Sequence, residues 1–142
     1  MNLKADSIGF LLADVTRLMR RAFQHHLEGS SLTLAQARAL IYVARNEGLH
    51  QVELADLLEI KPITVARLID KLAALGMVER RQDPDDRRAY HVFLAPGAEA
   101  DIRAIEKVGD HIRAKAVKGL SRQQAEQLSD VLCKMRDNLS AL

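Results

Sequence analysis

The chain has no tryptophan, one cysteine and three prolines, and aromatic residues fill only 4% of its 142 positions. Each scarcity excludes something. A lone Cys133 rules out an internal disulfide framework and any zinc site built on paired cysteines. So few aromatics in a chain that is 48% hydrophobic point to a helical core of Leu, Ile, Val and Ala. No apolar run approaches the roughly 20 residues that a bilayer-spanning helix needs. The opening MNLKADSIGF lacks a signal-peptide pattern, so the expected compartment is the cytoplasm. A net charge of +2 is too small to argue for nucleic acid by bulk electrostatics. Between positions 61 and 91, Lys61, Arg67, Lys71, Arg80, Arg81, Arg87 and Arg88 face Asp70, Glu79, Asp83, Asp85 and Asp86. That excess is modest, so placement has to carry any case for a polyanion.

What is present is helical periodicity. Ile8, Leu11, Leu12, Val15, Leu18, Met19, Ala22 and Phe23 predict a long amphipathic helix over 8–27, with Arg17, Arg20 and Arg21 beside or between them. Thr33 and Gln36 have the spacing of a capping box and predict a second helix to about Arg45, stopped by Asn46-Glu47-Gly48. A short helix at about 51–58 is expected to bury Leu54, Ala55, Leu57 and Leu58. Pro62 suits the first position of the next helix, where its missing amide donor would be unpaired anyway. That helix turns Val65, Leu68, Ile69, Leu72 and Leu75 inward and ends at Gly76. Met77–Gln82 and Ala89–Leu94 read as a strand pair around the turn residues Asp83-Pro84-Asp85-Asp86. Pro96 starts another helix with Ala98, Ile102, Ile105, Val108 and Ile112 on its apolar face. A second capping box, Ser121 to Gln124, opens a last helix carrying Leu128, Val131, Leu132, Met135 and Leu139.

The fold class that follows is mostly α with a small β-hairpin wing. A self-contained lobe at 33–95 is flanked by helical regions at 1–32 and 96–142. Those flanking helices need each other, or a second chain, to hide their apolar faces. The lobe has the order of a helix-turn-helix followed by a wing. Thr64, Arg67 and Lys71 lie at i, i+3 and i+7, opposite the Leu/Ile stripe. Arg67 suits guanine O6 and N7, Thr64 a thymine methyl or a phosphate, and Lys61 and Lys71 phosphates. Arg87 and Arg88 at the hairpin tip suit a narrow minor groove. Asp86 is expected to structure the wing, by accepting turn amides or pairing with Arg88. An amphipathic helix of this kind is, by itself, more often a solvated face. The preceding helix, the short turn and the arginine hairpin together favour double-stranded DNA, with a protein-binding winged helix as the alternative.

The segments QVELADLLEIKPITVARLIDKLAALGMVERR and DPDDRRAYHVFLAPGAE resemble the MarR/SlyA family of winged-helix transcriptional regulators. The matching motifs are Leu54-Ala55, Thr64-Val65-Ala66-Arg67-Leu68 with Asp70, Gly76-Met77-Val78, and Asp86-Arg87-Arg88. The resemblance implies an obligate homodimer built on the first, fifth and sixth helices. It also implies a pseudopalindromic operator, read by one recognition helix per half-site and flanked by wings in the minor groove. By position, Thr64 and Arg67 would read bases and Arg87 with Arg88 would make the wing contacts. Two positions depart from the family pattern: Glu59 stands where a small residue or Gly is common, and Ala95 replaces a Thr cap before Pro96.

Many relatives bind a small phenolic or carboxylate effector between the dimer helices and the DNA-binding lobe. Arg17 and Arg20 match such positions, although solvated or inter-subunit ion pairs are the plainer reading. Peroxide-sensing relatives carry their cysteine near the start of the first helix, where this chain has none, and Cys133 is expected to be a small buried hydrophobe. Five histidines are scattered, and His25 and His26 point about 100° apart on a helix, so no metal site and no cofactor are expected. No nucleophile elbow or phosphate-cradling Gly loop is present, so no enzyme is expected. Whether binding represses or counteracts silencing is not encoded.

Overall fold

A computed structural model describes residues 7–142, so the part of the leader reading that rests on residues 1–6 lies outside the described residues. The helices are α1 (Ile8–Leu27), α2 (Leu34–Arg45), α3 (Gln51–Leu58), α4 (Pro62–Ala74), α5 (Glu99–Ala116) and α6 (Arg122–Ser140). Between them lie strands β1 (Leu49–His50), β2 (Val78–Gln82) and β3 (Tyr90–Leu94), and a single 3-10 turn at Pro96–Ala98 precedes α5. None of these helices is long and apolar enough to cross a membrane.

Local chemistry sets most of the boundaries. The Thr33 hydroxyl accepts the Gln36 amide at 3.2 Å while Gln36 Oε1 accepts the Thr33 amide at 3.0 Å. Ser121 and Gln124 repeat that exchange at 3.1 and 2.9 Å. Each pair satisfies two amides that a helix start would otherwise orphan. Pro62 occupies the first turn of α4, and Gly76 leaves that helix at φ 74°. Ala95 offers no side-chain cap before Pro96, and the chain enters α5 through the tighter turn instead.

The core sits where α2, α3, α4 and α5 meet the sheet. Leu40, Val43, Leu54, Val65, Ile69, Leu72 and Val92 are its fully enclosed side chains, and Leu32, Ala98, Ile102 and Ile105 extend the same cluster. Several expectations need correcting. Leu57 and Leu75 are exposed rather than inward. Leu57 lies about 60° outside the arc of Leu54, Ala55 and Leu58, and Leu75 is the cap residue where the chain already turns away. The sheet has three antiparallel strands in the order β1-β3-β2, not two. β1 pairs Leu49 with Val92 and His50 with His91. Met77 precedes β2 and Ala89 precedes β3. Cys133 is exposed because α6 buries none of its residues within one chain.

Candidate nucleic-acid interface

Helix α4 presents two opposite faces. Val65, Leu68, Ile69 and Leu72 are buried, which pins the helix by roughly 1.5–3 kcal/mol per large side chain. Thr64, Arg67 and Lys71 are exposed on the other side, and Lys61 is exposed at the N-cap. The exposure expected of these four residues is present, with Ile63 of the first turn exposed beside them.

Arg80 on β2 fixes how that helix sits against the wing. It donates through Nη2 to the Ala66 carbonyl at 2.7 Å and through Nε to Gln51 Oε1 at 2.8 Å, and it pairs with Asp70. One guanidinium thus ties α3, α4 and β2 together, using the planar fork that lysine lacks. Nothing in the local sequence announced this role, because its partners lie 10 to 29 positions away.

The wing tip is organised by two aspartates. Asp83 Oδ1 accepts the amides of Asp85 at 2.8 Å and Asp86 at 3.3 Å. Asp86 Oδ1 accepts the Arg88 amide at 3.0 Å and lies 3.8 Å from the Arg88 guanidinium. Gln82 Nε2 donates to the Arg87 carbonyl at 2.8 Å. The wing-structuring role expected of Asp86 is therefore shared, with Asp83 taking the larger part of the turn amides. Arg87 and Arg88 project from this stiffened loop, the Arg88 side chain 95% exposed. An exposed pair such as Asp86–Arg88 orients the arginine rather than stabilising the fold.

Behind the tip, His91 on β3 contacts the Asp83 carboxylate through Nε2 at 2.8 Å and the Gly48 carbonyl through Nδ1 at 2.7 Å. The Gly48 carbonyl, and then Asp83, raise the His91 pKa above its ordinary value, against a smaller opposing effect of burial. The bond to His91, reinforced by the Asp85 amide, lowers that of Asp83. Gly48 holds φ 85°, and a Cβ there would stand 3.3 Å from the Phe93 ring, so both backbone and space select glycine.

Arg17 and Arg20 lie on α1, where both line a groove shared with Arg21 and with Glu59 of the α3–α4 turn. Arg20 lines a cavity of about 310 Å³ between α1, α2 and α5, together with Arg38, Arg45, Arg113, Phe23 and Tyr42. Arg17 does not line it and instead sits 3.4 Å from Asp14. The arginines on α2 and α5 escaped sequence reasoning because only the packing of those two helices with α1 brings them together.

A family model described as the MarR family matches residues 30–89, from the turn before α2 to the wing tip. The solved transcriptional regulator PA3341 is similar at 31% identity over 96% of this chain and 100% of its own, with a TM-score of 0.81. A MarR transcriptional regulator from Methanosarcina mazei Go1 is similar at 26% identity over 95% of this chain and 98% of its own, with a TM-score of 0.83. A putative MarR family regulator from Listeria monocytogenes, solved in complex with 26mer DNA, shares the fold at 21% identity over 96% of this chain and 91% of its own, with a TM-score of 0.81. Helix-turn-helix, arginine wing and whole-chain similarity agree, and the chain belongs to the MarR/SlyA family of winged-helix transcriptional regulators.

Proposed function

We propose that the protein is a homodimeric, sequence-specific regulator that reads a pseudopalindromic operator. The α4 helix of each protomer enters a major groove and the wing enters the flanking minor groove. The observation that carries the reading is the exposed set Thr64, Arg67 and Lys71 on a helix whose other face is locked into the core, beside a tip that displays Arg87 and Arg88. Arg67 and Thr64 read base edges, Lys61 and Lys71 hold phosphates, and the wing arginines use the potential of a narrow minor groove. The Listeria relative bound to 26mer DNA supports this use of the shared fold.

The second chain is argued from uncovered apolar surface. On α1, Ile8, Leu11, Val15 and Leu18 are exposed, and on α6 so are Leu128, Val131, Leu132 and Leu139. Neither helix buries a residue in one protomer. The segments 1–32 and 96–142 thus form the clasp, and 33–95 the DNA-binding lobe. The arginine-rimmed cavity beneath α1 suits a small phenolic or carboxylate effector, with Arg20 as one anchor. The reading involves no catalysis and a cytoplasmic protein acting as repressor or anti-silencer.

The test is binding of the purified protein to DNA from its own upstream region, followed by fluorescence anisotropy. Arg67→Ala should weaken the specific site by about 5–150-fold, the equivalent of 1–3 kcal/mol, while leaving the dimer and its helicity intact. Wild-type affinity should fall on the order of a thousandfold between roughly 50 and 200 mM salt. Unchanged affinity and sequence preference in the Arg67 variant would remove its base-reading role.

A further inference from the structure

The pairing of β1 with β3 brings together two histidines that are 41 positions apart, and the hairpin turn adds a carboxylate. One ligand atom each from His50, Asp83 and His91 lies within 4.8 Å of the others, all three residues being half-buried. We propose that these three side chains form a binding site for a divalent transition-metal ion, Zn²⁺ by the chemistry of its donors, at the root of the wing.

The donor set is two imidazoles and one carboxylate. Imidazole suits Zn²⁺, Ni²⁺ and Cu²⁺ and disfavours Mg²⁺ and Ca²⁺, which take oxygen. Two of the three donors are already oriented by neighbours. The Gly48 carbonyl engages His91 Nδ1 at 2.7 Å, which keeps Nδ1 protonated and turns Nε2 toward the site, where the ion replaces the proton shared with Asp83 and releases it to solvent. Asp83 divides its two oxygens: Oδ1 holds the turn amides of Asp85 and Asp86, and Oδ2 faces His91 Nε2 at 2.8 Å. A metal therefore takes Oδ2 without unmaking the turn.

The rings of His50 and His91 stand 4.1 Å apart between centroids at 42°, and the His50 backbone amide is held by Glu53 Oε1 at 3.2 Å. With ligand bonds of about 2.0–2.1 Å in a tetrahedron, donor atoms sit about 3.3 Å from one another. The Asp83–His91 contact opens by about half an ångström, and His50 closes in by side-chain rotation. Water completes the sphere. Arg81, opposite His91 across the ladder, lays its guanidinium over the Phe93 ring at 3.9 Å and pairs with Glu79, so its charge is engaged on that side. The ion would join the start of α3 to both strands of the hairpin.

The experiment titrates the chelator-stripped full-length protein with ZnCl₂ by calorimetry and with CoCl₂ by visible absorption. One ion per chain is expected, with the d–d bands of four-coordinate Co²⁺. His50→Ala, His91→Gln and Asp83→Asn should each weaken binding by at least about tenfold. Asp83→Asn retains an oxygen for the turn amides, and circular dichroism verifies the fold of each variant. His26→Ala, which alters the unrelated His26–His111 ring contact on α1 and α5, should bind as wild type does. Absence of saturable binding at about 100 µM Zn²⁺, or an affinity indifferent to both His50→Ala and Asp83→Asn, overturns the proposal.

Discussion

Arg80 shows how one side chain sets the geometry of the proposed reading surface without belonging to it. Its guanidinium spends its donors on Gln51, Asp70 and the Ala66 carbonyl, one partner set on each helix of the helix-turn-helix. Because the arginine side chain is only a quarter exposed, these bonds are partly shielded from water and each is worth more than a surface pair. Arg80→Ala should lower stability by about 1–2 kcal/mol in urea unfolding. It should also weaken operator binding beyond what that loss explains, since the wing and α4 would no longer share a fixed angle. A variant that unfolds earlier yet binds DNA with wild-type affinity would reduce Arg80 to a stabilising role. The residues with outward positions in a periodic pattern (Thr64, Arg67, Lys71) were legible from the sequence, because helical spacing alone decides which face they take. Arg80, Asp83 and His91 were not, because their work depends on partners brought close only by the sheet and by the packing of α3 on α4.

Among the elements, the turn between α3 and α4 carries the clearest local cost. Glu59 ends α3 at φ 55° and ψ 42°, the one left-handed position among the described residues that is not glycine. An L-residue held there loses roughly 1–2 kcal/mol to the clash of its Cβ with the following carbonyl. Glycine would remove that strain but would give back roughly 0.5–1 kcal/mol through the greater freedom of the unfolded chain. Glu59→Gly is therefore expected to stabilise the protein by about 0.5–1 kcal/mol, read as a higher urea midpoint with an unchanged slope. Operator affinity should stay as it was, because α4 is positioned by its own buried face. A lower midpoint would mean that the Glu59 side chain, which lines a groove with Arg17, Arg20 and Arg21 of α1, contributes more than the strain removes. Most helix ends were readable to within a residue or two, since caps, proline and glycine mark them chemically; α5 begins three residues after Pro96, behind the 3-10 turn. β1 was not, being only two residues long and too short to show alternation. Its existence depends on β3 offering a free edge.

At the scale of the whole molecule, the decisive fact is that 39 residues, in α1 and α6 together, contribute no buried side chain to one protomer. Isolated helices of this length are marginal in water, and apolar stripes left wet would favour unfolding or aggregation. The proposed second copy of the chain would resolve both problems by pairing like surfaces across a two-fold axis, which would also space two α4 helices for two half-sites. The amphipathic pattern announced that these helices needed cover, but periodicity carries no information about whether cover comes from the same chain. The Cys133 expectation failed for that reason: the residue was assigned to a core that a single protomer does not have around α6. Introducing charge on this face is the direct test. Val131→Asp combined with Leu139→Asp should raise the dimer dissociation constant by at least about thirtyfold, roughly 2 kcal/mol, in sedimentation equilibrium. The lobe centred on Leu40, Leu54 and Ile69 should remain folded, because neither substitution touches it. Operator binding should then fall more steeply than non-specific binding, since a monomer reaches only one half-site. If the charged variant still sediments as a dimer with wild-type affinity, the α6 face is not the clasp, and the spacing of the two reading helices must be set by α1 and α5 alone.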